Sequence, residues 1–327
     1  MPKVTLPSGL YFSSEPGQSL LDAAEASGMT LPYSCRSGRC STCKCKVTGA
    51  TDVLLDETGL SAEEKADGWV LACARSAETD LTLDIQDLSG LNLPEPKMIP
   101  AKIDTLELLS HDVIGVRLRL PPGRTMEFMA GQYADVIGPG GVRRSYSFAA
   151  APKADGIQFQ IRCVDGGVMS AYWFGEAKVD DLLRIYGPKG TFVLRHTPNS
   201  DVVFLATGTG IAPVKSMIEW IATLSEDQQP RSIQLFWGGR TEEDLYWNLG
   251  SLFDRIRYVP VLSRADVDWQ GERGYVQDAF LATNADLNSM QVYACGSEEM
   301  IHSARQALTS KGLASEAFFS DAFVSSS

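Results

Sequence analysis

YSCRSGRCSTCKC, residues 33–45, carries four of the chain's seven cysteines: Cys35, Cys40, Cys43 and Cys45. Four residues separate the first from the second, and two separate the second from the third. A disulfide framework, a zinc ion, an iron–sulfur cluster or chance could account for such a gathering. The cysteine count is odd, and the opening MPKVTLPSGLYF lacks the basic-then-apolar order of a signal peptide. Both features speak against a disulfide framework and for a reducing, cytoplasmic setting. Zinc would more naturally show paired C-x2-C knuckles, without a gap of four.

A further cysteine, Cys73 in VLACARS, completes the order C-x4-C-x2-C with a distant fourth ligand. This is the spacing of a plant-type [2Fe–2S] centre. Two irons need four thiolates, three from a loop that wraps the cluster and one from a separate element that closes it. Gly38 and the small Ser37, Ser41 and Thr42 allow backbone amides to approach the sulfur atoms. Cys45 is left over and is expected to be a free thiol on the strand that follows the loop. Before the loop, KVTLPSGLYFSSEPGQSLLDAAEASGM reads as strand, turn, strand and a short helix with Leu20, Leu21 and Ala24 at helical spacing. The whole stretch resembles the ferredoxin β-grasp domain.

At 327 residues the chain is long enough for two or three domains. Its 44% hydrophobic and 21% charged residues are those of a globular protein. No apolar run approaches the roughly 18–20 residues of a membrane helix. A net charge of −12 excludes nucleic acid as an expected partner. Residues 1–92 hold 13 acidic and 7 basic side chains, which would steer this part toward a basic surface. A short serine run closes the chain at 325–327.

GLNLPEPKMIP carries prolines and no periodicity, which predicts a linker over 93–99. The short alternating strands that follow predict a small antiparallel barrel over 100–198. Within it, RRSYS sets Arg144 and Tyr146 on one face of a strand and Ser147 on the other. In isolation this is an ordinary polar strand. DGGVMSAYW places Gly166 and Gly167 before a helix expected to start near Ser170, where amides suit a phosphate but a plain glycine turn also fits. GPKG (187–190) is a turn. From 199 to the end, DVVFLATGTGIAPVKSMIEWI reads as buried strand, glycine turn and amphipathic helix. Gly208 and Gly210 leave room for a pyrophosphate, although Pro213 stands where a third glycine would be usual. SIQLFWGGR and MQVYACGSEEMI supply further strands of a parallel sheet.

Taken together, these motifs resemble the ferredoxin–NADP reductase family with a ferredoxin domain fused in front. The expected architecture is multidomain, α+β and α/β: β-grasp ferredoxin domain (1–92), antiparallel β-barrel flavin domain and parallel-sheet nicotinamide-binding domain. The resemblance implies cluster ligation by Cys35, Cys40, Cys43 and Cys73. It implies FAD contacts from Arg144 (pyrophosphate), Tyr146 (isoalloxazine) and Ser147 (its reactive edge), and from Gly167, Val168 and Ser170. Nicotinamide contacts fall to Gly208, Thr209, Gly210, Pro213, Cys295 and Gly296, with Cys295 also readable as a core thiol. The ending SDAF resembles a terminal acid and aromatic, placing Asp321 near the nicotinamide pocket and Phe323 over the flavin; tail aromatics also simply pack on cores. Ser147, Cys295, Asp321 and Phe323 are the catalytic candidates.

The implied activity is NAD(P)H-dependent reduction of a partner redox enzyme. Hydride brings two electrons, a [2Fe–2S] cluster takes one, and flavin converts between them. The resembled reductases serve aromatic-ring oxygenases or are the CDP-6-deoxy-glucoseen reductases of deoxysugar synthesis, so the expected acceptor is an oxygenase or dehydrase component, directly or through a separate ferredoxin. The chain is expected to be a monomer. NADH is favoured over NADPH, with Ser263, Arg264 and Arg273 where a 2′-phosphate would be held. The alternative is an electron-transfer or sensing subunit that binds flavin and cluster without using NAD(P)H; the G-T-G-I-A-P and C-G motifs argue against it.

Overall fold

The computed structural model describes residues 1–152, 155–195 and 198–323, excepting the side chains of Ser251 and Phe253. The serine run at 325–327 lies outside them. The chain forms two compact units. The first is Met1–Leu93 with Gly190–Phe192 and, at the end of the chain, Asp321–Phe323; the second is Pro94–Lys189 with Val193–Ser320.

The first unit is built on a mixed five-stranded sheet in the order Tyr11–Ser13, Lys3–Thr5, Leu81–Asp84, Lys44–Thr48, Trp69–Leu71. Lys3–Thr5 runs parallel to Leu81–Asp84, and the other pairs are antiparallel. Alternation drives the pairing: in Leu81–Asp84 the leucines are buried and Thr82 and Asp84 exposed. The helix Leu20–Ala26 starts where the Ser19 hydroxyl accepts from the Asp22 amide, and it buries Leu20, Leu21, Ala23 and Ala24 in one core with Val4, Phe12, Leu71 and Leu83. A separate two-stranded antiparallel ribbon pairs Thr51–Val53 with Arg75–Ala77.

In the second unit, six antiparallel strands follow the order Arg143–Ser147, Tyr133–Ile137, Leu182–Lys189, Lys97–Ser110, Val113–Arg119, Ile157–Arg162. A single bridge between Phe148 and Phe159 joins the two edges and closes the sheet. Lys97–Ser110 begins inside the stretch expected to be linker. Pro100 is tolerated there because it pairs only with Arg184; pairing on the other side of the strand starts at Lys102.

A six-stranded sheet completes this unit, with Asp201–Thr207 flanked by Ser232–Gly239 on one side and Met290–Gly296 on the other, both parallel to it. Residues 201–206 are buried without alternation, as a strand covered on both faces requires. The helix Ile211–Ala222 follows directly from its glycine turn.

Candidate functional site

Between Cys35 and Cys43 the backbone takes left-handed φ values at Arg36, Gly38 and Ser41, which curls the loop around its own sulfur atoms. The amides of Ser37 and Cys40 donate to Cys35 Sγ at 3.4 Å, and the Cys35 amide donates to Cys40 Sγ at 3.4 Å. Two glycines are sterically required. A Cβ on Gly38 would lie 2.3 Å from the Asp56 carbonyl oxygen, and one on Gly59 would lie 2.2 Å from that of Arg39. Cys40, Cys43 and Cys73 are buried and Cys35 is half-buried.

The four thiols interact in two pairs. Hydrogen bonds from Cys40 and from backbone amides pull Cys35 down to about 4, while Cys40 is pushed up by that same partner and by burial. Cys43 lowers Cys73, whose sulfur also takes the Gly38 amide, and is itself pushed up. Four sulfur donors, amides aimed at them and a loop glycine, Gly38, with no room for a side chain fit a [2Fe–2S] cluster. Cys45 is fully buried on its strand opposite Val70, and burial raises its thiol to about 12.

At one end of the six-stranded order, the strand Arg143–Ser147 pairs with Tyr133–Ile137, setting Ser147 opposite Tyr133 and Tyr146 opposite Ala134. On its other side it adjoins the strand Ile157–Arg162, through the Phe148–Phe159 bridge and through the tilted rings of Tyr146 and Phe159, whose centroids lie 6.0 Å apart. Arg144 and Tyr146 are half-buried there and Ser147 is buried. The Tyr146 hydroxyl accepts from Trp173 Nε1 at 3.1 Å, the two rings meet edge-on, and burial raises the phenol to about 12. The expected helix begins at Val168, not Ser170, as one α-turn, Val168–Ala171, that runs on as a wider π-helical turn over Tyr172–Glu176. Gly167 precedes it in an extended conformation, and the Val168 side chain is exposed. Ser170 folds back instead: its hydroxyl accepts from the Val164 amide at 2.9 Å.

Two further turns are locked together at the sheet's switch point. Gly208 has φ +52, and Gly208, Thr209, Gly210 and Pro213 are all buried. A Cβ on Gly210 would lie 2.1 Å from the Cys295 carbonyl oxygen; one on Gly296, at φ +151, would lie 2.0 Å from Thr207 Oγ1. Ala206 and Cys295 are register partners, so the loop after each strand rests against the other. In open parallel sheets this crevice is where dinucleotides bind.

Sequence reasoning missed Arg162. Its guanidinium lies over Gly208, 2.6 Å from where a Cβ would be, and is paired with Asp112 at 3.0 Å and Asp244 at 3.5 Å. The basic end of an alternating strand was its only signal. The two arginines named for a 2′-phosphate have different surroundings. Arg273 donates to the carbonyls of Ala265, Asp266, Val267 and Trp269, whereas Arg264 is exposed. Asp321 is buried and its carboxylate accepts from Ser34, the neighbour of Cys35; burial pushes the acid up to about 6. In the same unit Thr191, also missed, donates its amide to the Tyr33 carbonyl and accepts from the Tyr33 amide. Phe323 is 37% exposed.

The sequence matches the 2Fe-2S iron-sulfur cluster binding domain over residues 4–78, the oxidoreductase FAD-binding domain over 100–194 and the oxidoreductase NAD-binding domain over 204–306. It is 41% identical over 325 residues to the CDP-6-deoxy-L-threo-D-glycero-4-hexulose-3-dehydrase reductase of Yersinia pestis, covering 98% of this chain and 97% of that one. The chain belongs to the iron–sulfur flavoprotein reductases. It is an NAD(P)H-dependent oxidoreductase that carries electrons through FAD and a [2Fe–2S] cluster. Other members are similar along their whole length. The terephthalate 1,2-dioxygenase reductase component 1 of a Comamonas species is 33% identical, with 98% and 96% of the chains covered. An Amycolatopsis cytochrome P450 reductase of known structure superposes with a TM-score of 0.73 at 28% identity over 99% of both chains. No helix among the described residues is long and apolar enough to cross a membrane.

Proposed function

We propose that this reductase takes electrons from NADH and delivers them singly to the dehydrase of a CDP-linked hexulose, with an aromatic-ring oxygenase as the second acceptor class. The observation that carries the electron route is the four-thiol cradle in one chain with the interlocked Gly210–Cys295 turns. That lock also weighs against a subunit that ignores NAD(P)H, because a chain without nicotinamide chemistry has no need of it. The acceptor reading rests on the 41% identity to the Yersinia dehydrase reductase against 33% to the terephthalate relative.

When bound, FAD accepts two electrons from the nicotinamide and the cluster passes them on one at a time. Cys35, Cys40, Cys43 and Cys73 would hold the iron. Arg144 and the amides of Gly167 and Val168 would carry the FAD pyrophosphate, Tyr146 offers a flat ring and Ser147 a hydroxyl. Ser170 supports this turn through Val164. The Gly208–Gly210 turn and Gly296 would seat the dinucleotide, with Thr209 and Pro213 shaping the turn and Cys295 backing it. Phe323 would cover the flavin and Asp321 would anchor the tail that presents it. Arg273 is already held by the carbonyls of its own loop, which withdraws it from a 2′-phosphate and favours NADH, while the exposed Arg264 is the side chain that NADPH would need. We take the chain to act as a monomer, meeting its acceptor directly or through a separate ferredoxin.

Steady-state rates with NADH and NADPH, measured with a CDP-hexulose dehydrase and with a terephthalate-type oxygenase as acceptors, test this reading. A higher kcat/KM with NADPH, or turnover with the oxygenase alone, would overturn the corresponding half.

A further inference from the structure

Three consecutive apolar side chains in the ferredoxin unit stand in the open: Val53, Leu54 and Leu55 are 58%, 37% and 42% exposed. The backbone beneath them is tightly held. Val53 pairs with Arg75, and the amides of Leu54 and Leu55 both donate to the Ala74 carbonyl, one residue beyond the cluster ligand Cys73. Just after the stripe, the buried Glu57 carboxylate accepts from the Leu71 amide at 2.8 Å and from Arg75 at 2.6 Å. Asp56 packs its carbonyl against Gly38 of the cluster loop. These leucines therefore sit beside the cluster cradle on a stiff support and cannot fold inward. Acids flank the stripe. Asp52 and Asp56 are exposed, and the Glu78 carboxyl lies beside that of Asp52, which raises Glu78 above its ordinary range. An apolar centre with a charged rim is the usual anatomy of a transient protein interface.

We propose that Val53–Leu55 is the docking face for the electron acceptor, a protein that presents an apolar patch ringed by lysine and arginine side chains. Charge complementarity selects that occupant, because the acidic rim steers a basic partner and the apolar centre fixes its register. The proposal rests on the reading that electrons leave this chain through the cluster. Each NADH would then reduce two one-electron acceptors, yielding NAD+ and one proton.

The test uses the holoenzyme with cytochrome c, a basic protein with an exposed apolar haem edge, and ferricyanide as the small-molecule control. Leu54→Ser with Leu55→Ser, and separately Leu55→Lys, should raise the KM for cytochrome c about three- to tenfold. The cluster spectrum and NADH–ferricyanide turnover should not change. Asp52→Asn with Glu78→Gln should flatten the salt dependence of cytochrome c reduction. Leu10→Ser, on another exposed part of the same unit, should have no effect. Unchanged cytochrome c kinetics in the leucine variants would overturn the proposal. So would a change in sedimentation confined to Leu55→Lys without a kinetic effect, which would assign the stripe to a second copy of the chain. A wild type unable to oxidise NADH even with ferricyanide would refute the functional reading instead.

Discussion

Replacing Gly210 by alanine tests the claim that two turns form one dinucleotide seat. Gly210 has φ −58, so its backbone conformation suits any residue and the effect of alanine is purely steric. The added Cβ would sit 2.1 Å from the Cys295 oxygen, 2.5 Å from its carbonyl carbon and 2.9 Å from Gly296 Cα. Ordinary contact begins at 3.4 Å, so the turns must part by about 1.3 Å. All three atoms are backbone at the end of a buried strand, and no side chain can move aside. Overpacking of this kind costs about 1–3 kcal/mol, or a fall in melting temperature of about 2–12 °C for a unit of this size. Misplacing a bound reactant by about 1 Å costs up to roughly a hundredfold in rate. Gly210→Ala should therefore lower kcat/KM for NADH by about ten- to a hundredfold while the visible cluster spectrum stays intact. The assays are thermal melting and NADH–ferricyanide kinetics, with Gly175→Ala as control, since a Cβ there meets nothing within 4 Å. A Gly210→Ala protein with wild-type melting and wild-type kcat/KM would refute the steric argument.

Cys40→Ser should abolish the cluster absorbance and cytochrome c reduction while NADH–ferricyanide turnover persists, and Cys45→Ser should leave the spectrum unchanged. Arg264→Ala should barely alter the KM for NADH; a selective loss of NADPH activity from a wild type that prefers NADPH would reverse the cofactor reading. Phe323→Ala should tighten nicotinamide binding about two- to tenfold, by removing a stacking contact of about 0.5–1.5 kcal/mol, and should raise peroxide release. Flavin spectral titration reads the first effect, and unchanged affinity would make Phe323 a packing residue. Asp321 binds its proton more tightly folded than unfolded, so its contribution to stability falls as pH rises from about 4 through about 6 and is flat above. Asp321→Asn keeps an acceptor for Ser34 and should remove this loss, gaining on the order of 2 kcal/mol over wild type by pH 7.5 relative to pH 4.5. Denaturant midpoints at several pH values measure it, and a difference that does not vary with pH would contradict the buried-acid assignment.

What the sequence made legible was local. The cluster loop and the GTG turn are written in consecutive residues whose spacing is itself the chemical requirement. What stayed hidden depends on distant pairings. Ser34 meets Asp321 across 287 residues and Tyr33 meets Thr191 across 158, and no periodicity encodes either. Arg273 resembled a phosphate ligand until its loop's carbonyls were seen to occupy it. Serine is the usual cap signal, which drew the expected helix start to Ser170; Gly167 took the extended position and freed the hydroxyl to close the turn on Val164. The prolines around Pro100 concealed a strand because a position with one hydrogen-bonded neighbour tolerates proline.

Anaerobic titration of the holoprotein with NADH, followed by visible absorbance and electron paramagnetic resonance, shows whether one chain moves electrons from a nicotinamide to a [2Fe–2S] cluster. Both flavin and cluster bands should bleach and the signal of a reduced [2Fe–2S] centre should appear, with that signal lost in Cys40→Ser. Reduction of the centres by dithionite but not by NADH would contradict that transfer.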